Sequence, residues 1–348
     1  MQKLRIAVAG AGLIGRTHIA LIRASGECAL SGIVDPAPEA AAVASDAGVP
    51  LYASLTELLR SGRPDGVILA TPNRLHVAQA LECIAAGVAT LIEKPVADSV
   101  EEGARLCEAA ERADAKILVG HHRLHSPLLA AARSIVESGT LGRLVAVTGS
   151  AMFYKPDGYF DEAPWRRQPG GGPILINLIH EIGNLRALCG EIVAVQALAS
   201  NAVRGFPVED TVAIGLRFAN GVLGTFLLSD TAASARSWEQ TSQENPSYPT
   251  YPDEDCYVVA GTHGSLAVPT MRLKTYARAE ERSWWKPFAT SVAPIERADP
   301  LERQLAHFCA LVRGEARPRV TARDGLANLR VTEAIAQAAQ TASTIRLD

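Results

Sequence analysis

The chain has 348 residues, of which 48% are hydrophobic and 20% charged, with a formal net charge of −3. This is globular composition sufficient for two domains, and without a basic block it argues against nucleic acid and anionic membranes as partners. Six scattered cysteines (Cys28, Cys83, Cys107, Cys189, Cys256 and Cys309) include no C-x-x-C pair. That spacing argues against a thiolate zinc site or a disulfide framework and points to free thiols in a reducing compartment. The opening stretch reads as a strand rather than a signal peptide. No apolar run reaches the ~20 residues that span a bilayer, so the expected location is the cytoplasm.

The first third alternates short apolar runs with helical segments. Strands are predicted at Leu4–Ala9, Leu30–Val34, Gly66–Ala70, Ala89–Ile92 and Lys116–Gly120. Helices are predicted at Arg16–Ala24, Pro38–Ala47, Thr56–Ser61, Leu75–Ala86 and Val100–Ala113. Continuously apolar strands separated by helices predict a parallel sheet covered on both faces, doubly wound by right-handed crossovers. Beyond residue 123 the pattern changes. A helix at Pro127–Ser138 and an alternating strand at Leu144–Met152 precede a loop from Tyr154 to Pro173; a helix at Ile174–Leu188 follows. Strands are predicted at Val193–Ser200, Thr211–Phe218 and Val222–Ser229, with Asn220-Gly221 as a hairpin turn between the last two. Further strands are predicted at Asp255–Gly261, Ser265–Val268 and Leu273–Tyr276, and helices at Pro300–Arg313 and Arg323–Thr341. The expected class is α/β plus α+β. A doubly wound parallel domain over 1–122 is followed by a mainly antiparallel domain over 123–348. The aperiodic stretch Ala232–Asp253 reads equally as an active-site lid and as a surface excursion or subunit contact. Trp284-Trp285 reads as interface or core.

Gly10-Ala11-Gly12-Leu13-Ile14-Gly15 is G-x-G-x-x-G placed between the first strand and the first helix. Gly10 permits the tight turn, Gly12 lets the backbone approach a pyrophosphate, and Gly15 lets the helix pack on the strand. The helix N-terminus then offers N–H groups to the phosphates. Asp35 ends the second strand, where a carboxylate accepts bonds from the adenosine ribose hydroxyls. Pro36 follows it and supplies no cation for a 2′-phosphate, so NAD is expected over NADP. The plainer reading of Asp35 is a turn residue before Pro36.

Three further segments join the fingerprint: Glu93-Lys94-Pro95, Ala70-Thr71-Pro72-Asn73 with His76, and Gly170-Gly171-Gly172 ahead of His180. Together they resemble the glucose–fructose oxidoreductase / inositol dehydrogenase (Gfo/Idh/MocA) family over essentially the whole chain. The resemblance implies a Rossmann nucleotide domain, an open-faced antiparallel sheet domain, and an active site between them. It also implies redox chemistry at a C–OH or C=O group of sugars, polyols and related cyclic compounds, in homodimers or homotetramers formed through the C-terminal sheet. By resemblance Lys94 is the catalytic lysine, His180 the catalytic histidine, and Pro95 shapes the turn beside the nicotinamide. Thr71, Pro72, Asn73, His76 and Glu93 join the fingerprint residues, Leu13 and Ile14 included, in lining the cofactor. His122 borders the nicotinamide ribose and the substrate, and Trp165, Arg166 and Asn177 belong to the substrate pocket. Two positions depart from the family pattern: Ile176, four residues before His180, and Gly183, three after it, stand where many polyol dehydrogenases carry Asp.

Hydride transfer needs a route for the hydroxyl proton and a donor for the developing oxyanion. An imidazole such as His180 suits the first task. The Lys94 ammonium suits the second, or the first if burial lowers its pKa. The plainer readings are a Lys94 salt bridge to Glu93 or Glu181 and a satisfied buried His180. His121, His122 and His125 lack a neighbouring Cys or carboxylate cluster, so no metal site is expected. Trp165 and Arg166 suit a sugar ring or a carboxylate. The expected protein is an NAD-dependent dehydrogenase or reductase. The alternatives are a glycoside-cleaving enzyme that retains its NAD and a non-enzymatic NAD-responsive regulator on the same scaffold.

Overall fold

The computed structural model describes residues 2–347. The chain divides into two compact units. The first holds the residues up to His125 together with Pro300–Leu329, and the second holds Ser126–Asp299 and the residues from Arg330 on. Each has its own sheet.

In the first unit the elements run β1 (Leu4–Ala9), α1 (Leu13–Ala24), β2 (Cys28–Val34), α2 (Ala40–Ala47) and β3 (Leu51–Tyr52). Then come α3 (Leu55–Glu57), a π turn at Leu58–Gly62, β4 (Gly66–Leu69), α4 (Asn73–Ala85), β5 (Ala89–Ile92), α5 (Val100–Arg112) and β6 (Ile117–Val119). The six strands are parallel in the order β3-β2-β1-β4-β5-β6. This is the doubly wound order that reverses beside the first strand, where such sheets bind ligands. β4, β5 and β6 are buried at every position, which is why they read as unbroken apolar runs rather than alternating ones. α5 starts on a capping box. The Ser99 hydroxyl accepts from the Glu102 amide, and Glu101 and Glu102 occupy the positive first turn.

The helix Pro300–Arg313 and the segment to Leu329 belong to this unit, although a boundary at residue 122 leaves them outside it. The cause is packing. Phe308 is fully buried, and a Cβ on Gly66 of β4 would stand 3.0 Å from its ring. The Val119 amide donates to the Val320 carbonyl at 2.9 Å, and Gly325 lies against Val96 and Val119. Apolar periodicity says that these helices bury a face, but it does not say against which sheet.

The second unit begins with α6 (Pro127–Glu137), β7 (Leu144–Met152) and α7 (Asp157–Asp161). The expected loop from Tyr154 to Pro173 therefore contains α7 and a 3₁₀ turn at Pro164–Arg167. A π turn at Ile174–Leu178 leads into α8 (Ile179–Cys189), so the expected single helix has two hydrogen-bonding patterns. β8 (Ile192–Ser200), β9 (Thr211–Phe218), β10 (Leu223–Ser229), α9 (Trp238–Thr241), β11 (Tyr257–Gly261), β12 (Gly264–Val268), β13 (Arg272–Thr275), β14 (Ala289–Val292) and β15 (Ile345–Arg346) complete it. The sheet order is β14-β13-β12-β11-β7-β10-β9-β8-β15, antiparallel except for the pair β7–β10. Asn220-Gly221 forms the β9–β10 turn, with Gly221 at φ +88. One face packs on helices such as α8, which contacts β7. On the other face Leu198, Ala213 and Leu227 lie side by side in register, and all three are exposed.

Trp238 corrects the lid reading of Ala232–Asp253 at that end of the segment. It is 1% exposed, its ring lies 5.9 Å from that of Tyr257, and its indole N–H donates to Glu244 at 3.2 Å. Glu244 also accepts from the Ser126 hydroxyl. Trp284 and Trp285 are 88% and 84% exposed, so they are not core. Trp238→Ala should cost about 3–5 kcal/mol through the cavity and the lost indole hydrogen bond to Glu244. Thermal denaturation followed by circular dichroism should show the transition well below that of the parent protein. An unshifted transition would mean that Trp238 does not anchor this segment.

Candidate active site

Three loops of the first unit lie at the carboxyl ends of β1, β4 and β5, and their close approach explains the glycines. Gly10 has φ +94, and a Cβ there would stand 2.4 Å from the Ala70 carbonyl oxygen. A Cβ on Gly15 would stand 1.9 Å from the Gly10 carbonyl oxygen. Both are demands of the fold itself. Gly12 differs: a Cβ there meets no protein atom within 4 Å. Gly12 is also the N-cap of α1, with no side-chain cap and no acidic residue in the first turn. The fold leaves open space and uncapped N–H groups together, which fits an approaching phosphate. Leu13 is 85% exposed beside it, and Ile14 is half-buried.

Asp35 is half-buried. One carboxylate oxygen accepts from the Ala11 amide at 2.8 Å and the other from the Ala37 amide at 2.9 Å. The second bond is the turn-residue reading. The first ties Asp35 to the glycine loop. Two amides leave a carboxylate with acceptor capacity for ribose hydroxyls.

At the β4 loop, the Thr71 hydroxyl donates to Gln79 at 2.6 Å, and Pro72 and Asn73 open α4. His76 is 1% exposed, with Nδ1 2.8 Å from the Pro95 carbonyl and Nε2 2.9 Å from the Thr71 carbonyl. Burial pushes its pKa down. A neutral ring donates through only one nitrogen, so one of the two contacts is a hydrogen bond and the other a close approach. His76 therefore holds two loops together and presents no edge to a ligand.

At the β5 loop, Glu93 is 5% exposed and lies against His18, with Oε1 2.8 Å from Nε2. Its other oxygen accepts the Lys94 amide at 3.2 Å, and Gly120 leaves room for the carboxylate. Burial pushes the Glu93 pKa up. The His18 bond and the positive groups of His18, Lys94 and His122 outweigh it and hold the pKa below the usual value. Lys94 and His122 are half-buried, and the Lys94–Pro95 peptide is cis. His18 was not singled out in the sequence. The available signal is its place on the buried face of α1 with Gly15, Ile19 and Ile22, since a buried imidazole needs a partner. His125 lies 2.9 Å from His307, and His121 is 3.1 Å from the Asn328 amide nitrogen, which accounts for two histidines of the 121–125 stretch without a ligand.

In the second unit His180 is half-buried in the first turn of α8, directly after the π turn that carries Ile176 and Asn177. Such π segments recur at functional sites. Glu209 accepts the Ile174 amide at 2.9 Å, and burial raises its pKa. Glu181 accepts from the Tyr257 hydroxyl, to which Asn184 also donates at 3.0 Å. Asn177 Oδ1 accepts from the Lys155 ammonium at 2.7 Å, and Asp230 lies 3.4 Å from the same ammonium. Burial lowers the Lys155 pKa to about 8 despite Asp230. Arg166 stacks on the Tyr159 ring at 3.7 Å, and Trp165 is 57% exposed. Lys155, Arg204 and Asp230 escaped the sequence reading because they are distant in sequence and fall in segments read as loops.

Two family models match: the description "Oxidoreductase family, NAD-binding Rossmann fold" over residues 4–121, and "GFO/IDH/MocA C-terminal domain" over 129–267. Among curated relatives, the 1,5-anhydro-D-fructose reductase of Ensifer adhaerens is 29% identical over 354 residues, covering 97% of this chain and 98% of the relative. The rhizopine catabolism protein MocA of Rhizobium meliloti is 27% identical over 344 residues, covering 96% and 94%. Among solved structures, the WlbA dehydrogenase of Bordetella pertussis, in complex with NADH and UDP-GlcNAcA, matches with a TM-score of 0.79. It is 26% identical, with 100% of this chain and 99% of that one covered.

The glycine geometry separates a ligand role from a structural one. Gly12→Val should fold normally, since its Cβ has space, yet lose NAD binding. Gly15→Val should lose thermal stability as well, because its Cβ collides with backbone. Calorimetric titration with NAD and thermal melts decide both, and unchanged NAD affinity in a folded Gly12→Val protein would contradict the fingerprint reading.

Proposed function

The chain belongs to the GFO/IDH/MocA family of oxidoreductases with an NAD-binding Rossmann domain, and we propose that it transfers a hydride between NAD and a CH–OH or C=O group of a small polyol, sugar or related cyclic alcohol. The observation that carries this reading is the open, uncapped α1 N-terminus at Gly12, present in the same chain as Lys94 and His180. The names of the relatives, among them inositol 2-dehydrogenases and an anhydrofructose reductase, support the substrate class.

Gly10, Gly12, Leu13, Ile14 and Gly15 would hold the pyrophosphate against the α1 amides, and Asp35 the adenosine ribose. Thr71, Pro72, Asn73, Pro95 and His122 would line the nicotinamide end. His76 and Glu93 act behind them: the first joins the Thr71 and Pro95 loops, and the second accepts the Lys94 amide. When bound, NAD supplies the hydride acceptor for alcohol oxidation, or as NADH the donor for carbonyl reduction. His180 takes the hydroxyl proton of an alcohol substrate. Lys94 donates to the oxygen as charge develops on it. Trp165, Arg166 and Asn177 orient the substrate. Among the described residues no helix is long and apolar enough to cross a membrane, and six free cysteines fit a cytoplasmic protein. The exposed row Leu198–Ala213–Leu227 supports self-association through the second sheet, as dimer or tetramer. We divide the roles at the sequence boundary, nucleotide binding in 1–122 and substrate binding in 123–348, with Pro300–Leu329 supporting the first.

Two outcomes follow. NAD(H) should bind at least about tenfold tighter than NADP(H), on the order of 1.4 kcal/mol, because a 2′-phosphate would meet the Asp35 charge. Asp35→Ser should narrow that gap, and equal affinities in the parent protein would remove Asp35 from the ribose site. Separately, Lys94→Ala and His180→Ala should each lower single-turnover hydride transfer about 10²-fold or more, with far smaller effects on NAD affinity. The assay is NADH absorbance over a panel of polyols, sugars and cyclic diols. Near-normal transfer in His180→Ala at pH 7 would leave Lys94 as the proton acceptor.

A further inference from the structure

In the second unit, whose α8 carries His180, two cations, Lys155 and Arg166, gather around one aromatic ring. The Lys155 side chain is 10% exposed, and its ammonium lies over the Tyr159 ring at 4.9 Å and the Phe153 ring at 5.7 Å. The Arg166 guanidinium lies on the same Tyr159 ring at 3.7 Å and donates to the Tyr159 carbonyl. The Arg166 Nε is buried without a hydrogen-bond partner. Two cations thus share one aromatic ring.

The carboxylates nearby are committed elsewhere. Asp230, 2% exposed, accepts from Arg204 Nε at 3.1 Å as well as lying 3.4 Å from Lys155. Arg204 also donates to the Asp230 carbonyl at 2.6 Å and the Lys155 carbonyl at 2.8 Å, so Asp230 is chiefly its counterion. Asp210 accepts the Val203 and Arg204 amides, each at 3.0 Å. Glu209 accepts the Ile174 amide, and burial raises its pKa while the charge of Lys155 opposes the rise. Asp157, 87% exposed, and Asp161, 68% exposed, face Arg204 and Arg167 from solvent. Lys155 and Arg166 are left with a share of one carboxylate between them. Holding like charges together away from water is costly unless an anion joins them. The pKa of Lys155 is lowered first by burial; Asp230 opposes that, and the charges of Arg166 and Arg204 add to it.

Asn177 holds the ammonium, and it precedes His180 by three residues, about one helical turn. We propose that the substrate is a hydroxy acid, a sugar acid or cyclic hydroxy carboxylate, whose carboxylate binds Lys155 and Arg166. A carboxylate has two oxygens for two donors, and guanidinium and ammonium groups form their strongest hydrogen bonds with it. The proposal rests on the dehydrogenase reading above and narrows its substrate class.

The test uses the full-length protein saturated with NADH and matched probes: D-glucuronate against D-glucose, D-gluconate against D-sorbitol, and L-tartrate against L-threitol. D-Glucose 6-phosphate serves as the phosphate arm. Calorimetry should show at least one acid binding tenfold or more tighter than its neutral partner. Lys155→Met and Arg166→Gln should each remove most of that preference with NADH binding retained, and in Lys155→Met affinity for the neutral partner should change less than threefold. Lys155→Gln is the second variant if Lys155→Met is poorly folded by circular dichroism. Absence of acid preference in every pair, a preference that survives both substitutions, or tighter binding of the sugar phosphate overturns the proposal. NADH formation with NAD separates it from the underlying reading. Neutral alcohols oxidised in place of acids would keep the dehydrogenase and discard the carboxylate. Acids bound through Lys155 and Arg166 with no hydride transfer to or from any probe would do the reverse.

Discussion

The buried hydrogen bond between Glu93 and His18 is the constraint on which the first unit's loops depend. A carboxylate at the end of β5 is withdrawn from water, and α1 supplies the imidazole 2.8 Å away. Removing one partner of a buried hydrogen bond leaves the other unsatisfied at a cost of about 1–3 kcal/mol, so the helix and the strand end are fixed to each other. The same helix carries Gly12 at its N-terminus, and the same carboxylate accepts the Lys94 amide. One interaction thereby sets the place of the uncapped N-terminal end of α1 and of the lysine at the sheet edge. His76 repeats the logic one strand over, joining the Thr71 and Pro95 loops.

What was legible in the sequence is what local sterics or local period dictates. The glycine fingerprint was legible because Gly10 and Gly15 sit where any Cβ would strike backbone. The strands β4, β5 and β6 were legible because burial on both faces demands apolar residues without interruption. The β9–β10 hairpin was legible from Asn220-Gly221, whose Gly221 takes the positive φ that the turn requires. Asp35 was legible as a position, and the structure gives it both a turn bond and a bond to the glycine loop.

What was not legible depends on partners far along the chain. Glu93 and His18 are 75 residues apart, and nothing between them announces that α1 and the end of β5 will meet. Lys155 and Asp230 meet because β7 and β10 are parallel neighbours, a pairing that periodicity does not reveal. Short edge strands such as β3, β14 and β15 carry too few residues for a period. The π turn at Ile174–Leu178 disturbs a helical pattern by one residue, below what apolar spacing resolves. Trp238 read as part of an aperiodic stretch because its burial depends on Glu244 and Tyr257 rather than on neighbours in a regular element.

The electrostatics of the second unit turn on two family positions where a carboxylate is absent. With Ile176 and Gly183 near His180, the helix brings no anion of its own to either position. The adjacent Asn177 instead presents an amide oxygen, which binds an ammonium without neutralising it. An aspartate at position 177 itself would bring a carboxylate to the Lys155 ammonium and reduce the demand for a ligand charge. The amide fixes the lysine in position and adds no charge to the share of Asp230 that it has. Asp230 does not reverse this, because Arg204 shares it through a direct bond and holds the surrounding backbone carbonyls. On the proposed reading, Ile176 and Gly183 near His180 and the gathering of Lys155 and Arg166 on Tyr159 belong to one charge arrangement, in which the substrate supplies the anion that these positions do not.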